Sequence, residues 1–287
     1  MSMIIKKIKA KSIITKSNLP DSDFVINPYV GCTHSCIYCY ARFMKRFTGH
    51  EEKWGHFIDV KINAPDLIPK DTKKYEGKKI FISSVTDAYN PLEKKYGLTR
   101  KILKKLIPLN PELGILTKSD LVLRDIDLLK QFKNCGVGLT ITSLDDKVRK
   151  EIEPFSSPVE KRIEALKKLK QEGIHAYVFI GPILPFITDW KAIIEKTKNF
   201  ADSYMFENLN VRGSIWHSIE VWLKEKHPEL LEKYKKIYFT NARKTFSFSA
   251  CQKASLFVQN DYWDKIEKEI ENYCKEKKIE GRIYFHH

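Results

Sequence analysis

Asn27-Pro28-Tyr29-Val30-Gly31-Cys32-Thr33-His34-Ser35-Cys36-Ile37-Tyr38-Cys39-Tyr40 gathers three of the chain's six cysteines into one short stretch. The run FVINPYV (24–30) leading into it has the β-branched and aromatic content of a strand, so the cysteines sit on a loop at a strand end. A secreted disulfide framework would spread its cysteines along the chain, whereas clustering of this kind points to metal or redox chemistry. The spacing is C-x3-C-x2-C, with Gly31 immediately before the first cysteine. Three thiolates on one loop can hold three irons of a four-iron cube and leave the fourth iron open to another ligand. A structural zinc would need a fourth protein ligand, for which His34, His50 and His56 are candidates. Zinc sites also favour a second C-x2-C pair downstream, and the sequence has none. Cys135, Cys251 and Cys274 are scattered and read as small core hydrophobes.

Working outward, strand, loop and helix recur. IFISSV (80–85), LGILTK (113–118), VGLTITS (137–143), AYVFIGPIL (176–184) and SYMFENL (203–209) are short apolar runs. Helices are predicted from about Thr99 to Ile107, Asp125 to Phe132, 158 to 172 and Asp189 to Phe200. Such alternation specifies βα units on a parallel sheet. Six strands fall short of the eight of a full barrel. The expected fold is therefore α/β, a partial (β/α)6 TIM-type barrel over residues 1–210. Residues 211–287 are polar, with their longest helix over Tyr262–Lys278, and read as a mainly helical C-terminal extension packed on the barrel. The 158–172 helix has the plainest signals. Ser157 is placed as N-cap, Pro158 at the first helical position, Glu160 as the capping-box partner and Gly173 as the left-handed stop.

The 287 residues carry 51 Lys+Arg against 36 Asp+Glu, a formal net charge of +15. Residues 1–120 hold 22 of the basic and 12 of the acidic residues, so most of the excess lies in the first two fifths of the chain. Nucleic acid is the first candidate for a polyanionic partner; a Lys-rich solvated surface is the plainer reading. At 43% hydrophobic and 30% charged the chain is neither disordered nor a membrane bundle. Its most apolar stretch, Tyr177 to Trp190, is broken by Pro182 and Pro185. No run reaches the roughly 18 apolar residues of a spanning helix. The N-terminus also lacks a signal-peptide core, so the chain reads as soluble and cytoplasmic, with no membrane partner.

The cysteine loop, with an aromatic before its last cysteine, resembles the radical S-adenosylmethionine (SAM) superfamily. NPYVGCTHSCIYCYAR, SSVTDAYNPLE, LTR, ILTKSDLVLRDIDLL, TITSLD, EIEP and GPILP follow in the order seen in its spore-photoproduct-lyase-like branch, often labelled DNA repair photolyase. The match spans about residues 24–210. The resemblance implies that Cys32, Cys36 and Cys39 ligate a [4Fe–4S] cluster and that SAM chelates the open iron. It implies cleavage of SAM to a 5′-deoxyadenosyl radical that abstracts hydrogen from a substrate. It further implies SAM contacts from Tyr38, Thr86, Lys118 and one of Thr140 and Thr142, and a hydrogen-relaying role for Tyr40. Lys118 matches a lysine near the SAM ribose and carboxylate.

Ser84 falls in the same cofactor-contacting shell, where true spore photoproduct lyases carry a hydrogen-donating cysteine. A hydroxyl O–H bond is too strong to serve a carbon radical in that way, so repair of spore thymine dimers is not expected. An electron donor such as a ferredoxin or flavodoxin is implied. Other readings of these residues stay open: Thr140 and Thr142 as β-formers, Asp87 as a turn cap, Tyr40 as packing, and Glu153-Pro154 as the end of a loop. Three functions remain. The first is radical SAM chemistry on DNA or RNA. The second is the same chemistry on a peptide, protein or small metabolite. The third is a non-enzymatic, zinc-stabilised nucleic-acid-binding protein.

Overall fold

The computed structural model describes residues 3–70, 73–239 and 261–286. Among these the chain runs β1 (Ile4–Ile8), β2 (Ile14–Lys16), β3 (Phe24–Ile26), β4 (Tyr29–Val30) and β5 (Phe57–Lys61) before its first α-helix. β6 (Lys79–Ile82) is followed by α1 (Glu93–Tyr96) and α2 (Leu98–Leu106), and β7 (Glu112–Thr117) by α3 (Ile126–Leu129). β8 (Asn134–Thr140) leads to α4 (Asp146–Ile152) and α5 (Val159–Gln171), then β9 (His175–Ile183) to α6 (Trp190–Thr197). β10 (Ser203–Asn208) precedes α7 (Ile215–Lys226), α8 (Pro228–Phe239), α9 (Asp261–Lys277) and β11 (Gly281–Ile283).

Eight strands form one sheet in the order β11-β10-β9-β8-β7-β6-β3-β2. Every neighbouring pair is parallel except β2 with β3. The protein is thus α/β with a mostly parallel sheet, and all six predicted strand regions contribute to it in chain order. β11, which local patterning does not announce, adds a further parallel strand beside β10. No described helix is long and apolar enough to cross a membrane.

Three local expectations are corrected. FVINPYV is two strands, because Pro28 has no N–H to give a ladder. Asn27 instead turns its side chain to the end of β6, where Nδ2 donates to Ser84 Oγ at 3.2 Å and Oδ1 accepts from Val85 N at 3.0 Å. β4 then joins a separate three-stranded sheet, β1-β5-β4, so the cysteine loop begins between two sheets. The connection from β3 to β6 carries 3-10 turns and β4 and β5 in place of an α-helix. Finally, the capping box of α5 does not form. Ser157 Oγ donates to Asp120 Oδ1 at 2.5 Å, and the Val159 N–H at the helix start finds Asp146 Oδ1 at 3.1 Å. The Gly173 stop is present, with φ +75°.

One face of the sheet packs on the helices. Leu113, Ile115, Val137, Leu139, Val178 and Phe206 are buried there with Ile163, Leu166 and Leu169 of α5. Side chains alternate along a strand, so Gly138, between Val137 and Leu139, looks the other way. A Cβ there would lie 2.2 Å from the Tyr177 ring, whose hydroxyl is tied to Ile115 O at 2.9 Å. Gly138→Ala is expected to cost about 1–3 kcal/mol, as overpacking does. Denaturant unfolding checks this; an unchanged midpoint would mean that Tyr177 swings aside freely.

Candidate active site

The cysteine loop meets the C-terminal ends of β6, β7 and β8. Gly31 opens the loop with φ +86°, and a Cβ on it would sit 2.6 Å from Phe57 O. Only glycine fits both the left-handed backbone and that close approach, which accounts for its place before Cys32. Cys32 and Cys36 are buried and Cys39 half-buried. Burial raises all three thiols above their ordinary range, and for Cys32 the neighbouring Asp87 and Cys39 add to it. Buried thiols of this kind resist ionising on their own, and metal ligation requires the thiolate.

Around the loop is a buried polar network. Asp87, after β6, accepts from Thr117 Oγ1 at 2.7 Å, Lys118 N at 2.9 Å and Tyr89 N at 2.8 Å. His34 Nε2 lies 3.2 Å from Asp87 Oδ2, and His34 Nδ1 lies 3.1 Å from Phe155 O. Burial opposes ionisation of Asp87, but His34, Thr117 and the Lys118 N–H outweigh it and hold the carboxyl below the usual range. Asp87 therefore does cap its turn, and it also locks the cysteine loop to β7.

Glu153, fully buried after α4, accepts from the Tyr38 hydroxyl and from Thr142 Oγ1 at 3.3 Å. It also pairs with Arg162 Nη2 at 2.5 Å. Burial pushes Glu153 up, but Arg162 first and Lys118 next bring it below its ordinary value. Lys118 Nζ stands 5.7 Å from the Tyr38 ring centroid. Burial lowers the Lys118 ammonium, and Cys36 foremost, with Glu153 and Asp87, more than restores it.

The remaining predicted residues fall on the same rim. Thr86 Oγ1 donates to Gly31 O at 2.6 Å, tying the strand end to the cysteine loop. Tyr40, half exposed, donates its hydroxyl to Ser84 O. Thr140 Oγ1 and Ser83 Oγ are buried with no hydrogen-bond partner. Ser35, between the first two cysteines, and Ser83 both have left-handed backbones, φ +57° and +73°. Strain of roughly 1–3 kcal/mol at each is the kind held at functional sites.

Two of the three histidines invoked for zinc are otherwise engaged. His34 serves Asp87, and His50 bridges Glu52 at 2.8 Å and Asp59 at 3.0 Å. Among the described residues no three His, Cys, Asp or Glu side chains converge on a point that would hold one metal ion. A cube binds each sulfur to a separate iron and does not require that convergence. Cys135 lies at the start of β8 and Cys274 on α9, away from this rim; burial pushes the Cys135 thiol up to about 12. Cys251 lies outside the described residues.

The family model of the Radical SAM superfamily matches residues 26–197, more than half of the chain. The chain belongs to the Radical SAM superfamily. An uncharacterized protein of Methanocaldococcus jannaschii is 49% identical over 79% of this chain and 85% of that protein. The Radical SAM Nalpha-GlyT isomerase of Pseudomonas phage M6 is 22% identical over 77% of this chain and 47% of that protein. A solved structure of spore photoproduct lyase, with bound AdoMet and dinucleoside spore photoproduct, shares the fold. Its TM-score is 0.67 at 14% identity, covering 99% of this chain and 82% of that one. This radical SAM protein is accordingly an enzyme that uses a [4Fe–4S] cluster and SAM. The non-enzymatic zinc protein is set aside.

Sequence reasoning missed two residues of this radical SAM site. Glu153 reads as a loop end, and Arg162 is not singled out at all. The readable signal was EIEP, a carboxylate between Ile152 and Pro154 in an ordered motif. Arg162 carried none, since its partners are Thr140 at the end of β8 and Glu153 and Ser157 in the α4–α5 connection.

Proposed function

We propose that Cys32, Cys36 and Cys39 hold the cluster, that Tyr38, Ser84, Thr86, Lys118, Thr140 and Thr142 line the SAM site, and that the substrate is a nucleic acid, DNA or RNA. The observation carrying this reading is that the loop bearing the three cysteines is tied to the ends of β6, β7 and β8, through His34 on Asp87 and Tyr38 on Glu153. When bound, the cluster and SAM supply a carbon-centred radical that takes a hydrogen atom from substrate.

The chain's own residues orient and shield. Lys118 offers an ammonium to the SAM carboxylate, and the unpartnered Thr140 hydroxyl offers a buried hydrogen bond. Glu153 fixes the Tyr38 ring against this space. We assign the hydrogen-relaying role to Tyr40, whose hydroxyl sits at the rim on Ser84 O, since the Ser84 O–H bond is too strong to serve a carbon radical. We read residues 1–210 as a partial (β/α)6 barrel and residues 211–287 as an extension packed on it, with β11 joined to the sheet. A ferredoxin or flavodoxin is the fitting reductant.

Two facts favour nucleic acid over peptide or metabolite. The first 120 residues hold 22 basic against 12 acidic residues. The spore photoproduct lyase of like fold was solved with bound AdoMet and dinucleoside spore photoproduct. The test is anaerobic reconstitution with iron and sulfide, reduction, and assay of 5′-deoxyadenosine. Isotope-labelled cell DNA, RNA and protein fractions are then added separately. Label is expected in deoxyadenosine from DNA or RNA only. Transfer from the protein fraction alone would overturn the substrate class, and absence of deoxyadenosine would overturn the site assignment.

A further inference from the structure

The residues that follow Tyr40 present a surface that the site above leaves unused. Tyr40–Phe47, YARFMKRF, is a 3-10 segment with Ala41 turned inward. Phe43 is 40% and Phe47 68% exposed, and their rings stand 6.5 Å apart, edge to face. The Arg46 guanidinium lies 5.3 Å from one ring centroid and 4.8 Å from the other. The segment is pinned to the body by Arg42, whose Nη1 donates to Ser214 O at 3.1 Å and Ser218 Oγ at 2.8 Å and whose Nε donates to Cys39 O at 3.1 Å. These aromatics are thus displayed on an anchored support. Exposed apolar groups held in this way mark contact sites.

The chemistry of the patch selects its occupant. From Phe24 to His50 the chain has no acidic residue, while Arg42, Lys45 and Arg46 are cationic. Open aromatic faces with an arginine between them suit bases that stack and phosphates that pair. The segment starts at Tyr40, on the rim of the site, so a strand lying on it would end at the cysteine loop. We propose that Phe43, Arg46 and Phe47 form a docking platform for single-stranded nucleic acid, with bases on the two rings and a phosphate at Arg46. This rests on the nucleic-acid reading above.

The experiment is fluorescence anisotropy of labelled oligo-dT and oligo-rU, each about 15 nucleotides, with the full chain at several salt concentrations. Phe43→Ala/Phe47→Ala is expected to weaken binding at least about 30-fold, since stacking on each ring is lost. Phe43→Tyr/Phe47→Tyr is expected to restore it. Arg46→Gln should reduce the salt slope by about one counterion. Dithionite-driven SAM cleavage should stay unchanged in all three. If the wild type binds and the alanine variant binds equally, the platform is wrong and the nucleic-acid reading stands. If the wild type binds neither oligomer, both fall. If the alanine variant keeps oligomer binding but loses reduction by flavodoxin, the patch serves a protein partner and the proposal is overturned.

Discussion

Cys36→Ala is expected to abolish SAM cleavage while leaving the protein folded. Cys36 is buried at the centre of the cysteine loop, where burial raises its thiol and the Lys118 ammonium opposes that rise. Even groups that merely orient a metal ligand are worth about 10–100-fold in affinity or activity, so removing a ligand should cost more than about 100-fold. Bound iron and visible cluster absorption should fall with it. The loop geometry depends on Gly31 and on backbone bonds such as Ile37 N to Ile152 O at 3.0 Å, none of which uses the thiol. Unfolding in denaturant should therefore shift little in the cluster-free state. Cys135→Ala, at the far end of β8, is the control and should retain iron and activity. Retained iron and cleavage in Cys36→Ala would refute the ligand assignment.

The second large effect is on stability. Arg162→Met removes a guanidinium that is 1% exposed. It removes the ion-pair partner of Glu153, whose Oε2 lies 2.5 Å away, and leaves Thr140 O and Ser157 O without donors that now sit at 2.8 Å each. Breaking a buried pair from one side costs about 3–5 kcal/mol, because the remaining charge is left uncompensated. Removing both charges is far milder. Glu153→Gln/Arg162→Met should accordingly lose less stability than Arg162→Met alone, as read by denaturant unfolding. A loss below about 1 kcal/mol for Arg162→Met would mean that the pair is not the anchor described here. The same variant also tests Tyr38, since Glu153 accepts its hydroxyl and a displaced carboxylate frees the ring.

Two of the motifs carrying the family resemblance also supply buried or partly buried ion pairs. Glu93, from SSVTDAYNPLE, is fully buried and pairs with Arg124 Nη2 at 2.8 Å. Arg100, from LTR, pairs with Asp125 at 2.9 Å and Asp127 at 2.7 Å. These ion pairs brace the loops at the C-terminal end of the sheet, which is where the cysteine loop must be held still. An ordered set of such motifs is legible because each keeps its own local residues. Their mutual pairing is not legible, since partners lie tens of residues apart.

The cysteine spacing alone told which chemistry to look for, because all three proposed ligands come from one loop, where separation along the chain limits separation in space. The six strand regions were equally plain, since apolar periodicity is local. The tertiary structure decided the rest. It split FVINPYV at Pro28, brought β1 beside β5, added β11, and assembled Asp87, His34, Tyr38, Glu153 and Arg162 around the loop. Each of those residues acts through a partner from a different segment. A buried charge is tolerated only where such a partner meets it, and that meeting is a property of the packed fold.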